Sequence, residues 1–110
     1  MDFKYFYTDY CEGKSISADD PWPAPLDQII HSMDCVLHMP DNFFGIVDDF
    51  NTTLQFMVNS DRSVLMDIPA PEQSGSYSKT TDLSACIDVI RGLSTRISRD
   101  GIQGLEFHPW

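Results

Sequence analysis

His31, Cys35 and His38 are spaced i, i+4 and i+7, so on a helix they share one face. Imidazoles and a thiolate at that spacing supply two or three ligands to a metal such as zinc. A closed site needs a fourth ligand, and the chain has no HExxH run and no second Cys/His pair to provide one. A solvated or partner-facing helix face accounts for the three residues more simply, and neither a metal nor any other cofactor is expected. A cysteine and a histidine can also form a nucleophile and its base. Cys86 falls on an apolar stripe, where a thiol behaves as a small hydrophobe, and Cys11 lies among acidic residues that raise a thiol pKa. Asp48 and Asp49 are a formal carboxylate dyad, but strand neighbours point apart and a hairpin turn would expose both to water. The glycines form no GxGxxG or Walker loop. No enzymatic activity is expected.

The chemistry this chain carries most plainly is charge. Ten of its seventeen carboxylates lie between Met1 and Gln55, opposed only by Lys4 and Lys14, for a net −8. The remainder holds seven acidic and five basic residues, for −2. A field of this kind repels nucleic acid and anionic lipid and attracts cationic protein surfaces. Asp41, Asp48, Asp49 and Asp61 are expected to cluster near the turns of a meander, with Glu72 and Tyr77 in the following loop. Carboxylates beside an aromatic ring make a patch for a basic partner, although low pI also serves solubility.

The elements that would position these groups follow from hydrophobic periodicity. Phe3, Tyr5 and Tyr7 share one side of an edge strand. Cys11 to Pro25, with Gly13 and Pro21-Trp22-Pro23-Ala24-Pro25, reads as a loop anchored by Trp22. Leu26, Ile29, Ile30, Met33 and Leu37 form one helical stripe, with Pro25 at the start and Met39-Pro40 at the end, which predicts helix one over 25–38. Phe43 to Val47, Thr53 to Val58 and Ser63 to Ile68 alternate with period two and predict an antiparallel meander. Pro69 to Ser78 reads as an irregular loop. Leu83, Cys86, Ile87, Ile90, Leu93 and Ile97 predict helix two, with Thr81 or Asp82 as its cap, Arg91, Arg96 and Arg99 toward its negative end, Gly92 inside it and Gly101 as its stop. Gly104 to Trp110 adds a last strand. The order β-α-β-β-β-α-β predicts an α+β domain with two helices packed on one face of an antiparallel sheet.

One hundred and ten residues suffice for a single domain with its own core. Three cysteines with no close pair suggest neither a disulfide framework nor a metal knuckle, and the expected compartment is a reducing cytoplasm. The start Met-Asp-Phe-Lys-Tyr-Phe-Tyr lacks a basic region and an apolar core of a leader, and no stretch approaches 18 apolar residues, so no membrane partner is expected.

The run Leu54-Gln-Phe-Met-Val-Asn-Ser-Asp-Arg-Ser-Val-Leu-Met-Asp-Ile68, the Gly-Ser-Tyr-Ser loop, the helix from Leu83 and the terminal Trp110 together resemble small immunity proteins of bacterial polymorphic-toxin systems. The resemblance covers residues 26–110 and leaves out the aromatic first strand and the Pro-Trp-Pro loop. It implies an α+β fold and a noncatalytic role: binding a cognate secreted toxin, often a nuclease or deaminase acting on nucleic acid, and blocking its active site. Enzymes of that kind present basic clefts, which an acidic domain would fill. The rival readings are a DNA-mimic regulator with carboxylates along an elongated edge, a small ligand-binding or enzyme domain using His31, His38 or Cys11, and a subunit of a homo-oligomer.

Overall fold

The computed structural model describes residues 3–110. Its strands are β1 (Phe3–Asp9), β2 (Lys14–Ile16), β3 (Trp22–Ala24), β4 (Phe43–Val47), β5 (Thr53–Val58), β6 (Val64–Ala70), β7 (Gly75–Thr81) and β8 (Glu106–Pro109); the helices are α1 (Leu26–Val36) and α2 (Leu83–Arg91). All the strands join one antiparallel sheet in the order β2-β1-β4-β5-β6-β7-β8, with β3 on the same edge of β1 as β2. Both helices pack on one face and touch each other, α1 over β1 and β4 and α2 over β6. The fold is the α+β architecture expected, with three more strands.

Alternation decides which side chains meet the helices. Tyr5, Ile46 and Leu54 face one another across β1, β4 and β5, as do Phe44, Phe56 and Met66 across β4, β5 and β6. With Ile29, Met33, Val36, Cys86 and Ile90 they build one buried cluster. Each large side chain so buried contributes roughly 1.5–3 kcal/mol of transfer free energy. On the other face Phe6 lies over Gly45, where an added Cβ would overlap the Phe6 ring, so the ring fills the space a side chain would take.

The additional strands have physical causes. Residues Cys11 to Pro25 do not form a plain loop: β2 and β3 are three-residue edge pieces laid end to end along β1. Pro23 is tolerated there because an edge strand need not donate from every residue. Trp22 does not anchor this segment, being 56% exposed; Ile16 and Ala24 are its buried residues. Gly75 to Thr81 is a full strand paired with β6 and β8, although its Gly-Ser-Tyr-Ser start reads as a loop. Helix α2 stops at Arg91, with Gly92 as its C-cap and the Asp82 side chain accepting from Ala85 N at its start. Arg96 and Arg99 therefore belong to the coil beyond it. Among the described residues no helix is long and apolar enough to cross a membrane.

Candidate functional site

The topology divides the expected acidic cluster. The β1–β2 loop, Asp41 and the β5–β6 turn lie at one end of the sheet; the β4–β5 loop, the Pro71–Gln73 turn and the chain end lie at the other. Asp41 and Asp61 are exposed at the first end, Asp49 and Glu72 at the second. A strand of β5's length separates them by about 20 Å, so the four do not form one patch. Asp41 has a positive φ of 74° in a tight turn whose N–H donates to the Val58 carbonyl. The Asp61 carboxylate accepts from the backbone N–H and hydroxyl of Ser63, which holds its pKa below the ordinary carboxylate value.

Asp48 corrects the sequence expectation more sharply. It is 6% exposed. Its Oδ1 accepts from Phe50 N and Thr52 N at 2.9 Å each, and its Oδ2 accepts from Ile97 N at 2.8 Å. The carboxylate closes the β4–β5 loop and ties the coil after α2 to it, and it is not available to a partner. Asp9, also buried, does the same at the opposite end, accepting from Cys11 N, Glu12 N and Asn42 Nδ2. Tyr77 is half-buried on β7; its hydroxyl donates to Gln73 Oε1 at 2.7 Å and its ring lies under the Arg99 guanidinium.

The acidic surface itself is larger than the sequence suggested and lies elsewhere. The sheet order follows the chain, so residues 3–50 supply one flank of the molecule (β2, β3, β1, β4 and α1) and residues 53–110 the other. The lopsided charge count thereby becomes a lopsided surface. On the first flank Glu12, Asp19, Asp20, Asp27, Asp34, Asp41 and Asp49 are exposed, against Lys4 and Lys14. The second flank carries Arg62, Lys79, Arg91, Arg96 and Arg99 among its acids and is close to balanced. Five of those exposed acids, from Glu12 to Asp34, lie outside the cluster expected at the turns of the meander. The signal was present in the count of carboxylates between Glu12 and Asp34.

The face of α1 that joins this flank holds His31 and Cys35, whereas His38, expected on the same helix, lies two residues beyond its end at Val36. All three are exposed, with Cys35 Sγ 3.9 Å from His31 Nε2 and His38 Nε2 3.7 Å from Asp34 Oδ1. They pair along the helix with separate partners, and among the described residues no three His, Cys, Asp or Glu side chains converge on a metal position.

The thiols divide by environment. Cys11 and Cys35 are exposed, whereas Cys86 is fully buried and its pKa is pushed up to about 12, chiefly by desolvation and then by the Asp82 charge. An unfolded thiol ionises near pH 8.5. The folded state therefore keeps its full advantage at this group below about that pH and loses it as pH rises toward the folded value. A disulfide-exchange reagent at pH 8 is expected to titrate two thiols per chain at once and the third only on unfolding. Three equally fast thiols would contradict the placement of Cys86.

Beyond these features lies a cleft of about 600 Å³ at the second end of the sheet, lined by residues that include Phe50, Glu72, Arg96, Ser98, Arg99 and Asp100. No family model, no curated protein and no solved structure matches this chain.

Proposed function

We propose that the protein is a noncatalytic inhibitor of the immunity type, whose acidic flank docks on a cationic protein toxin and covers its active site. The observation that carries this reading is the sidedness of the exposed charge, seven carboxylates against two lysines on the flank formed by residues 3–50. A one-sided field gives a partner's basic cleft a preferred approach and a faster encounter. The molecule measures 35 × 34 × 25 Å, and these compact proportions favour a broad contact over the elongated edge expected of a DNA mimic. The sequence resemblance to polymorphic-toxin immunity proteins supports the same role. Affinity would come mainly from side chains packed at the contact centre, and the exposed Tyr10 and Trp22 on this flank are of the residue types that serve as such anchors.

Immunity genes lie beside the gene of the toxin they neutralise, which makes the partner accessible. Co-expression of this chain with the product of the adjacent gene is expected to give a co-purifying complex and to relieve growth arrest caused by that product. Growth arrest undiminished by this chain, with no complex recovered, would overturn the proposal.

A further inference from the structure

Arg96 lies on the coil after α2 and Arg99 opens the 3-10 turn Arg99–Gly101 that follows, and each rests on an aromatic ring. Arg96 Cζ is 4.8 Å from the centroid of Phe50, and Arg99 Cζ is 4.2 Å from that of Tyr77. Both line the cleft at the second end of the sheet, with the Ser98 residue between them in sequence. Glu72 and Asp100 line the same cleft, yet among the described residues neither arginine forms an ion pair with them or donates a side-chain hydrogen bond. The coil is held in place from behind, because Ile97 is buried and its N–H is bound by Asp48.

Stacking occupies the face of a guanidinium and leaves its N–H donors, which lie in the plane, free to bind. That planar fork matches the oxygens of a carboxylate or phosphate, and two such forks on a fixed coil are prepared for one before it arrives. The two carboxylates in the lining set a limit of their own. They repel the flanking charges of a polyanion and so favour a single compact oxyanion over an extended one.

We infer that this cleft binds a single oxyanion group, a carboxylate or a phosphate, with Arg96 and Arg99 as its donors. The cleft is formed mainly by the second flank, with Phe50 reaching it from the first, and its oxyanion chemistry does not depend on the proposed toxin contact. The chain contains four arginines, so Arg62 and Arg91 serve as internal controls. In about 150 mM salt, where the Debye length is about 8 Å and the general repulsion by this acidic protein is screened, the arginine Nε–H resonances are followed by NMR. Inorganic phosphate is titrated in one arm and N-acetylglutamate amide in the other.

Saturable shifts at Arg96 and Arg99, with Arg62 and Arg91 moving only in proportion to added salt, are expected with at least one probe; the arm that saturates identifies the group. Read at the Ser98 amide, the double variant Arg96→Gln/Arg99→Gln is expected to weaken binding at least tenfold. Arg96→Lys/Arg99→Lys, which keeps the charge and loses the fork, should weaken it several-fold. Phe50→Leu, which leaves both arginines in place and removes one platform, should also weaken it several-fold. Four arginines shifting alike without saturation in both arms would overturn the inference, as would unchanged binding in the glutamine variant.

Discussion

Asp48→Ala is expected to destabilise the domain by about 3 kcal/mol, while Asp49→Ala, one residue away, changes stability by no more than about 0.5 kcal/mol. The contrast follows from direction along the strand. Asp48 continues the inward side of β4 after Phe44 and Ile46, and its carboxylate binds three backbone N–H groups from Phe50, Thr52 and Ile97. Truncation leaves those donors without their acceptor, two of them in the loop and one at the buried Ile97. Asp49 points to water and loses nothing comparable. For a domain of this size the difference corresponds to roughly 10–20 °C in melting temperature. Asp48→Asn is expected to fall between the two. One amide oxygen can still serve Phe50 and Thr52, but the NH2 group then faces the Ile97 N–H, donor against donor. Amide exchange in that variant should quicken in residues 93–102 before it does in β5. Urea midpoints that are equal for Asp48→Ala and Asp49→Ala would contradict the latch.

The second large effect concerns the rate of association. Replacing Asp19, Asp20, Asp27 and Asp34 together with lysine turns the most densely acidic part of the flank cationic without altering a buried side chain, since all four are exposed. Association with a cationic toxin is expected to slow about 100-fold at low salt, within the range that electrostatic steering covers, while dissociation changes much less. Raising salt should slow the native chain and speed the variant, bringing the two rates together. The same reversal at Asp61, Asp88, Asp100 and Glu106, four exposed carboxylates on the balanced flank, is expected to leave the rate within a factor of about three. Equal slowing by the two sets, measured by stopped flow, would mean that the total charge matters and its placement does not.

Much of this structure is legible in the residues because period-two patterning in β4, β5 and β6 is strict, and the expected segments 43–47, 53–58 and 63–68 match those strands to within two residues. The misreadings share causes. Helix two looks longer than it is because Leu93 and Ile97 continue its apolar spacing, yet Ile97 is buried from an irregular coil held by Asp48, and Gly92 ends the helix where a glycine commonly does. Strand β7 looks like a loop because Ser76 and Ser78 stand where apolar residues would mark a buried strand; they are buried between β6 and β8 all the same. The short strands β2 and β3 owe their existence to β1, and no local pattern of three residues announces that.

The site was legible at one level and hidden at another. The charge count showed that one half of the chain is acidic, and a sheet order that follows the chain converts that directly into one acidic flank. It could not show that hairpins send Asp41 and Asp61 to one end and Asp49 and Glu72 to the other. The burial of Asp48 and Asp9 did have a signal. Each extends an inward stripe by one step, Phe44-Ile46-Asp48 and Phe3-Tyr5-Tyr7-Asp9, so an aspartate ending such a stripe is a candidate for binding the backbone of the turn that follows. The arginine cleft had none, because its two guanidiniums meet their rings only through contacts distant in sequence.

Which flank meets the proposed partner is measured directly by backbone hydrogen exchange of this chain, alone and in complex with the product of the adjacent gene. Protection on binding is expected in the outward face of α1 and in residues 10–21, with β7 and β8 unchanged. Protection concentrated in β7, β8 or the coil bearing Arg96 and Arg99, with α1 exchanging as in the free protein, would contradict it.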